Sequence, residues 1–168
     1  MGNRSVLAEL TTLPTINLSQ AIMSADADLW RINDAVRRAE GAVQRAKTAA
    51  ERIKFILNLE ARKPAPIPTD RTGMERRSAT LIMHAHQRLL ADRQVKKADN
   101  WLSKLLNRRN RWMSRREAES FEEIMEYAQY AERRAHQAER QAWWADHYSN
   151  VASIDDLLDM IDDSGEDQ

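Results

Sequence analysis

The side chains best equipped to engage a partner lie between positions 93 and 116. On a continuous helix Arg93, Lys97, Lys104, Arg108, Arg111 and Arg115 fall in one narrow stripe, with Trp101 and Trp112 at its edge. Lysine and arginine neutralise phosphates and release their counterions, and indoles stack on bases, so this is the pattern of a polyanion-binding face, nucleic acid included. It equally suits an anionic lipid surface or an acidic protein. The plainer alternative is the solvated side of an amphipathic helix, with the tryptophans half buried.

Charge along the chain supports a separated arrangement. The total is balanced, 26 basic against 26 acidic residues. Residues 150–168 nevertheless hold seven acids and no base, while residues 86–116 hold ten Lys or Arg against Asp92 and Asp99 alone. Such polarity bears on partners rather than on fold. A tail folding back onto residues 86–116 would set seven negative charges against a net +8; without that contact it is a solubilising terminus.

Other chemistry finds little support. His84 and His86 are two apart, so on a helix they point in nearly opposite directions and share no metal. The Glu-x-x-His pair of di-iron bundles fails, because Leu81, Met83, Arg133 and Trp144 stand three residues before the four histidines. Glu132 and His136 read as a surface pair. There is no Gly-rich phosphate loop, nucleophile elbow or HExxH, and no cysteine for a disulfide or thiolate site. The expectation is a non-enzymatic chain with no catalytic, cofactor-binding or metal residues and no small-molecule substrate. The absence of a signal-peptide pattern or a long apolar run makes an intracellular or intravirion location the expectation.

The elements that hold this segment are legible as helices. From Leu18 to Leu57 apolar residues recur in steps of three and four, Leu29, Ile32, Val36 and Val43 among them. A second seam runs through Phe121, Ile124, Ala128 and Ala135 to Ala145, mostly in alanine, which lets two backbones approach closely. Both seams are candidate helix–helix interfaces, within the chain or between copies. The stripe on the first is broader than a two-stranded coiled coil needs, which favours a bundle.

The boundaries follow from punctuation. A short N-terminal helix or arm occupies residues 1–16, stopped by Pro14. Asn17 then suits an N-cap for a helix over 17–62. A Pro-rich linker spans 63–71, and Thr72 to Glu75 reads as a capping box opening a helix over 72–112. Leu81, Ile82, Ala85 and Leu89 mark its first apolar face, and the change of phase at Val95 predicts a bend or a change of partner near residues 91–96. Ser114 to Glu117 reads as another capping box, opening a third helix over 114–149 after a break at 110–114. One unbroken rod through both is the rival reading.

The fold expected is therefore all-α: an elongated antiparallel bundle or coiled coil of three main helices. The bundle covers residues 17–150, and an acidic, partly disordered tail covers 151–168. Within that tail Ile154, Leu157, Leu158 and Ile161 share one helical face and form a candidate partner-binding segment. The function this predicts is scaffolding or assembly, in a cellular machine or a virus particle, with self-association through the heptad seams. The alternative is a nucleic-acid-binding protein that uses the basic segment, with the acidic tail as its regulator.

Overall fold

The computed structural model describes the backbone of residues 4–147, and side chains from residue 20 onward except residue 21. Three helices account for almost all of it: α1 (Arg4–Arg62), α2 (Arg71–Arg115) and α3 (Ala118–His147). They pack as an up-down-up bundle, and each pair of helices is in contact. The acidic tail, with Ile154, Leu157, Leu158 and Ile161, lies outside the described residues.

Helix direction can be read from ion pairs alone. Arg38 meets Glu132, Arg45 meets Glu139 and Arg52 meets Asp146, each pair separated by 94 residues. A constant offset repeated every seven residues requires α1 and α3 to run parallel in heptad register. On the other side Arg108 pairs with Glu123, and seven residues back Trp101 meets Tyr130, seven residues forward. That reversal makes α2 antiparallel to α3.

From Leu29 in α1 and from Phe121 in α3 the two seams are packed within the chain. Ile32, Val36, Val43, Ile124, Ala128 and Ala135 are buried, and Leu29 and Phe121 pack half-buried against them. From Ala128 to Ala145 every buried residue of α3 is alanine, so α3 lies close against both partners. This is why the Arg–carboxylate pairs flanking α1 reach across at 2.7–2.9 Å.

Three boundaries differ from expectation. First, residues 4–13 are helical but run on through Pro14 as part of α1. The missing proline N–H removes one rung of the ladder without ending the helix. Second, α2 is capped by Asp70, whose carboxylate accepts from the Gly73 N–H at 2.9 Å, rather than by Thr72. A Cβ at position 73 would stand 2.3 Å from the Asp70 carboxylate, so glycine is what leaves room for this cap. Arg77 then ties the helix ends together, donating to the carbonyls of Lys63 and Ala61 at the close of α1.

Third, α2 and α3 are separate helices, but the break falls at residues 116–117. Ser114 lies inside α2, its hydroxyl donating back to Asn110 and Arg111 carbonyls. Arg116 ends α2 in the left-handed region (φ 54°), its N–H bonded to the Trp112 carbonyl. That conformation costs an ordinary residue ~1–2 kcal/mol. The Arg116 guanidinium sits 4.2 Å over the Trp112 ring, a contact that offsets part of it.

α2 runs without interruption through residues 91–96, and that continuity has a consequence. Gln94, Ala98, Leu105 and Trp112 fix the inward phase of α2, and an unbroken helix carries that phase back to Gln87, His84 and Thr80. The polar residues are therefore inside, while Ile82 and Leu89, read as part of the first apolar face, are each 50% exposed. His84 is fully buried with neither ring nitrogen hydrogen-bonded, and the side-chain oxygens of Gln87 and Gln94 are likewise unpartnered.

Candidate polyanion-binding groove

The shallow furrow between α2 and α3 collects the cationic and aromatic side chains. Trp101 leans from α2 onto two tyrosines of α3, its ring centroid 5.2 Å from Tyr127 and 4.7 Å from Tyr130. Lys104 places its ammonium 4.4 Å over the indole, and the Arg133 guanidinium lies 5.5 Å from the Tyr130 ring. Two adjoining hollows open along this ridge. One, of about 360 Å³, is lined by Lys104, Asn107, Arg108, Arg111 and Tyr127. The other, of about 440 Å³, is lined by Trp101, Tyr130, Arg133, Arg134 and Gln137.

The cations differ in availability. Arg108 is held by Glu123 at 2.5 Å and Arg134 by Gln137 at 3.1 Å, so both are oriented and Arg108 is partly neutralised. Lys104, Arg111 and Arg133 enter no ion pair among the described residues. The Tyr130 hydroxyl donates to Glu126, and that bond, with partial desolvation, holds its pKa above the ordinary phenol value.

Of the eight residues the sequence assigns to a polyanion face, Trp101, Lys104, Arg108 and Arg111 share this groove. Lys97 is half-buried one turn before Trp101, and Arg93 is exposed two turns before it. Arg115 stands at the far end of α2, 3.7 Å from Glu117. Trp112 is only 4% exposed and belongs to the core, because its position continues the inward row of Leu105.

The α3 half of the groove was not assigned from sequence. In the fold Tyr127 and Tyr130 face Trp101. Trp143 and Trp144 instead meet each other edge to face, and Trp143 stacks on His147. The available signal was the shared face of Tyr127, Tyr130, Arg134 and Gln137 beside the alanine seam.

The remaining titratable groups serve the frame. Glu132 does not pair with His136. It accepts two hydrogen bonds from Arg38, which hold its carboxyl below the usual range and raise the guanidinium correspondingly. His136 instead approaches Glu139 at 3.6 Å. Burial pushes His84 down, and burial together with Arg93 does the same to His86. Among the described residues no group of three or more His, Asp or Glu is arranged to hold a metal ion, and no helix is long and apolar enough to cross a membrane.

No protein-family model matches this chain, and comparison with the curated proteins and with solved structures gives no match.

Proposed function

We propose that this chain is a non-enzymatic helical interaction protein whose working surface is the α2–α3 groove and whose partner is a single-stranded nucleic acid. The observation that carries this reading is an indole braced by two tyrosines and flanked by cations that have no carboxylate partner among the described residues. Stacking on such a platform tolerates any base, and the flanking cations take the phosphates.

The reading predicts a salt dependence. Three phosphates neutralised by Lys104, Arg111 and Arg133 give a slope of log affinity against log salt of roughly −2 for a single strand. Titration of a fluorescent oligonucleotide at several salt concentrations measures it, with tryptophan quenching as a second signal. Lys104→Glu with Arg111→Glu should flatten the slope by more than half. Absence of binding at low salt, or a slope indifferent to that pair, would refute the proposal.

Assembly through copies of the chain is the second reading, and a separate observation favours it. With the 94-residue offset, the start of α3 at Ala118 stands level with position 24 of α1, so α1 projects beyond it. On or beside that projection Ile22, Met23 and Trp30 are exposed, and Ile22 continues the phase of the buried seam. This stretch offers a second copy an edge of the kind the bundle already buries.

A further inference from the structure

We infer that the acidic C-terminal segment docks back along the α1–α2 hairpin at the linker end, as a third helix over the part of the stem that α3 leaves uncovered. This does not depend on the nucleic-acid reading. With the same offset of 94, His147 stands level with Ile53 of α1. Beyond that level, α1 runs on to Arg62 and α2 begins at Arg71, so the described residues form a two-helix stem there. Each helix of such a stem has a flank with no neighbour.

Among the described residues the stem is rich in exposed apolar side chains and in unpaired arginines. Phe55, Leu59, Ile67, Met74 and Ile82 are all exposed at this end. Around them Arg62, Arg71 and Arg76 enter no ion pair among the described residues. An occupant of matching chemistry needs an apolar edge set among acids.

The chain carries such an occupant at the right place. Twenty-one residues follow His147, and they hold Ile154, Leu157, Leu158 and Ile161 with seven acids and no base. Carrying the α1–α3 register forward sets Ser153 level with Leu59 and Asp156 level with Arg62. Carrying the α2–α3 register forward sets Leu157 level with Met74. Both registers bring this segment level with the exposed apolar side chains and the arginines of the stem. The reach is short: the uncovered part of α1 is about 14 Å long, while 21 helical residues span roughly 30 Å.

The native chain has no cysteine, so engineered pairs report cleanly. Full-length chains carrying Met74→Cys with Leu157→Cys, or Lys104→Cys with Leu157→Cys, are oxidised under identical mild conditions. Products are read by mass and by non-reducing gel. The hairpin pair should link within one chain at a rate about tenfold or more above the groove pair. Faster linking to position 104 would place the tail on the basic groove instead. Links only between chains would assign the flank to a second copy, and no link at either position would leave the tail undocked. Each of these overturns the inference. A chain ending at residue 150 gives an independent reading. Amide exchange over residues 71–80 should rise about tenfold while residues 98–112 stay unchanged, and unchanged exchange over 71–80 would also reject the docking.

Discussion

Replacing His84 with leucine should stabilise this protein, and by an amount that depends on pH. The imidazole is fully buried, with both nitrogens lacking a hydrogen-bond partner. A buried polar group left unsatisfied costs about 1–3 kcal/mol, and leucine fills a similar volume without that penalty. Near pH 7.5 His84→Leu should add ~2 kcal/mol, which for a chain of this size raises Tm by about 4–8 °C.

On acidification the gap should widen. Burial holds the folded imidazole below its ordinary value of 6.5, opposed in part by Glu60 and Asp146 and reinforced by Lys63. The unfolded chain therefore takes up the proton first, so the native protein keeps its stability above about pH 6.5 and loses it as pH falls below. Each unit of depression adds about 1.4 kcal/mol to that loss. His86, lowered in the same sense, leaves a smaller slope in the variant. Urea unfolding of both proteins at pH 7.5, 6.0 and 5.0 measures the effect. A variant less stable than the parent, or a gap that does not grow toward pH 5.0, would show that the imidazole has an interior partner.

Other substitutions test the frame. Asp70→Ala should cost ~1 kcal/mol through the lost cap. Gly73→Ala should be neutral or harmful in the native chain yet stabilising by ~0.5–1 kcal/mol once Asp70 is alanine, because only then is the carboxylate out of the way; additive effects in denaturant melts would contradict this geometry. Ala135→Leu inserts bulk at a fully buried contact and should lose about 1–3 kcal/mol, with a stability gain as the contrary result. Glu139→Arg opposes Arg45 across a half-exposed pair and should cost at most about 1 kcal/mol, reversed by Arg45→Glu and weakened by salt. Failure of the reversal would dispute the parallel register of α1 and α3.

What the sequence made legible follows from how strongly each helix declares one face. In α1, Ile32, Val36, Val43 and Ile53 mark a single stripe, and in α3 the alanines do the same by exclusion, so both seams were readable. The first half of α2 declares two faces. Its aliphatic one, Ile82 and Leu89, is at odds with the row set by Leu105 and Trp112, and helix continuity decides for the latter. The cap at Asp70 was hidden because Thr72 offered a better-known pattern, while Gly73 records space rather than propensity. Half of the groove was visible because Trp101 and its cations lie on one helix. The other half depends on tertiary register, which joins Tyr127 and Tyr130 to Trp101 from a separate element.

That register also decides how the two functional readings can be separated, and the choice turns on which isoleucine is replaced. Ile32 is fully buried between helices of the same chain. Aspartate there would bury an unpaired carboxylate, unfold the monomer and dissolve any oligomer without testing the contact between copies. Ile22 continues the same stripe but is 59% exposed. Ile22→Asp should leave monomer stability within about 0.5 kcal/mol, as surface changes generally do. If α1 joins copies through this stretch, its mass in light scattering falls to that of one chain while the salt slope for an oligonucleotide persists. If the mass is unchanged, the exposed seam holds no second copy, and the α2–α3 groove alone is left to carry the function.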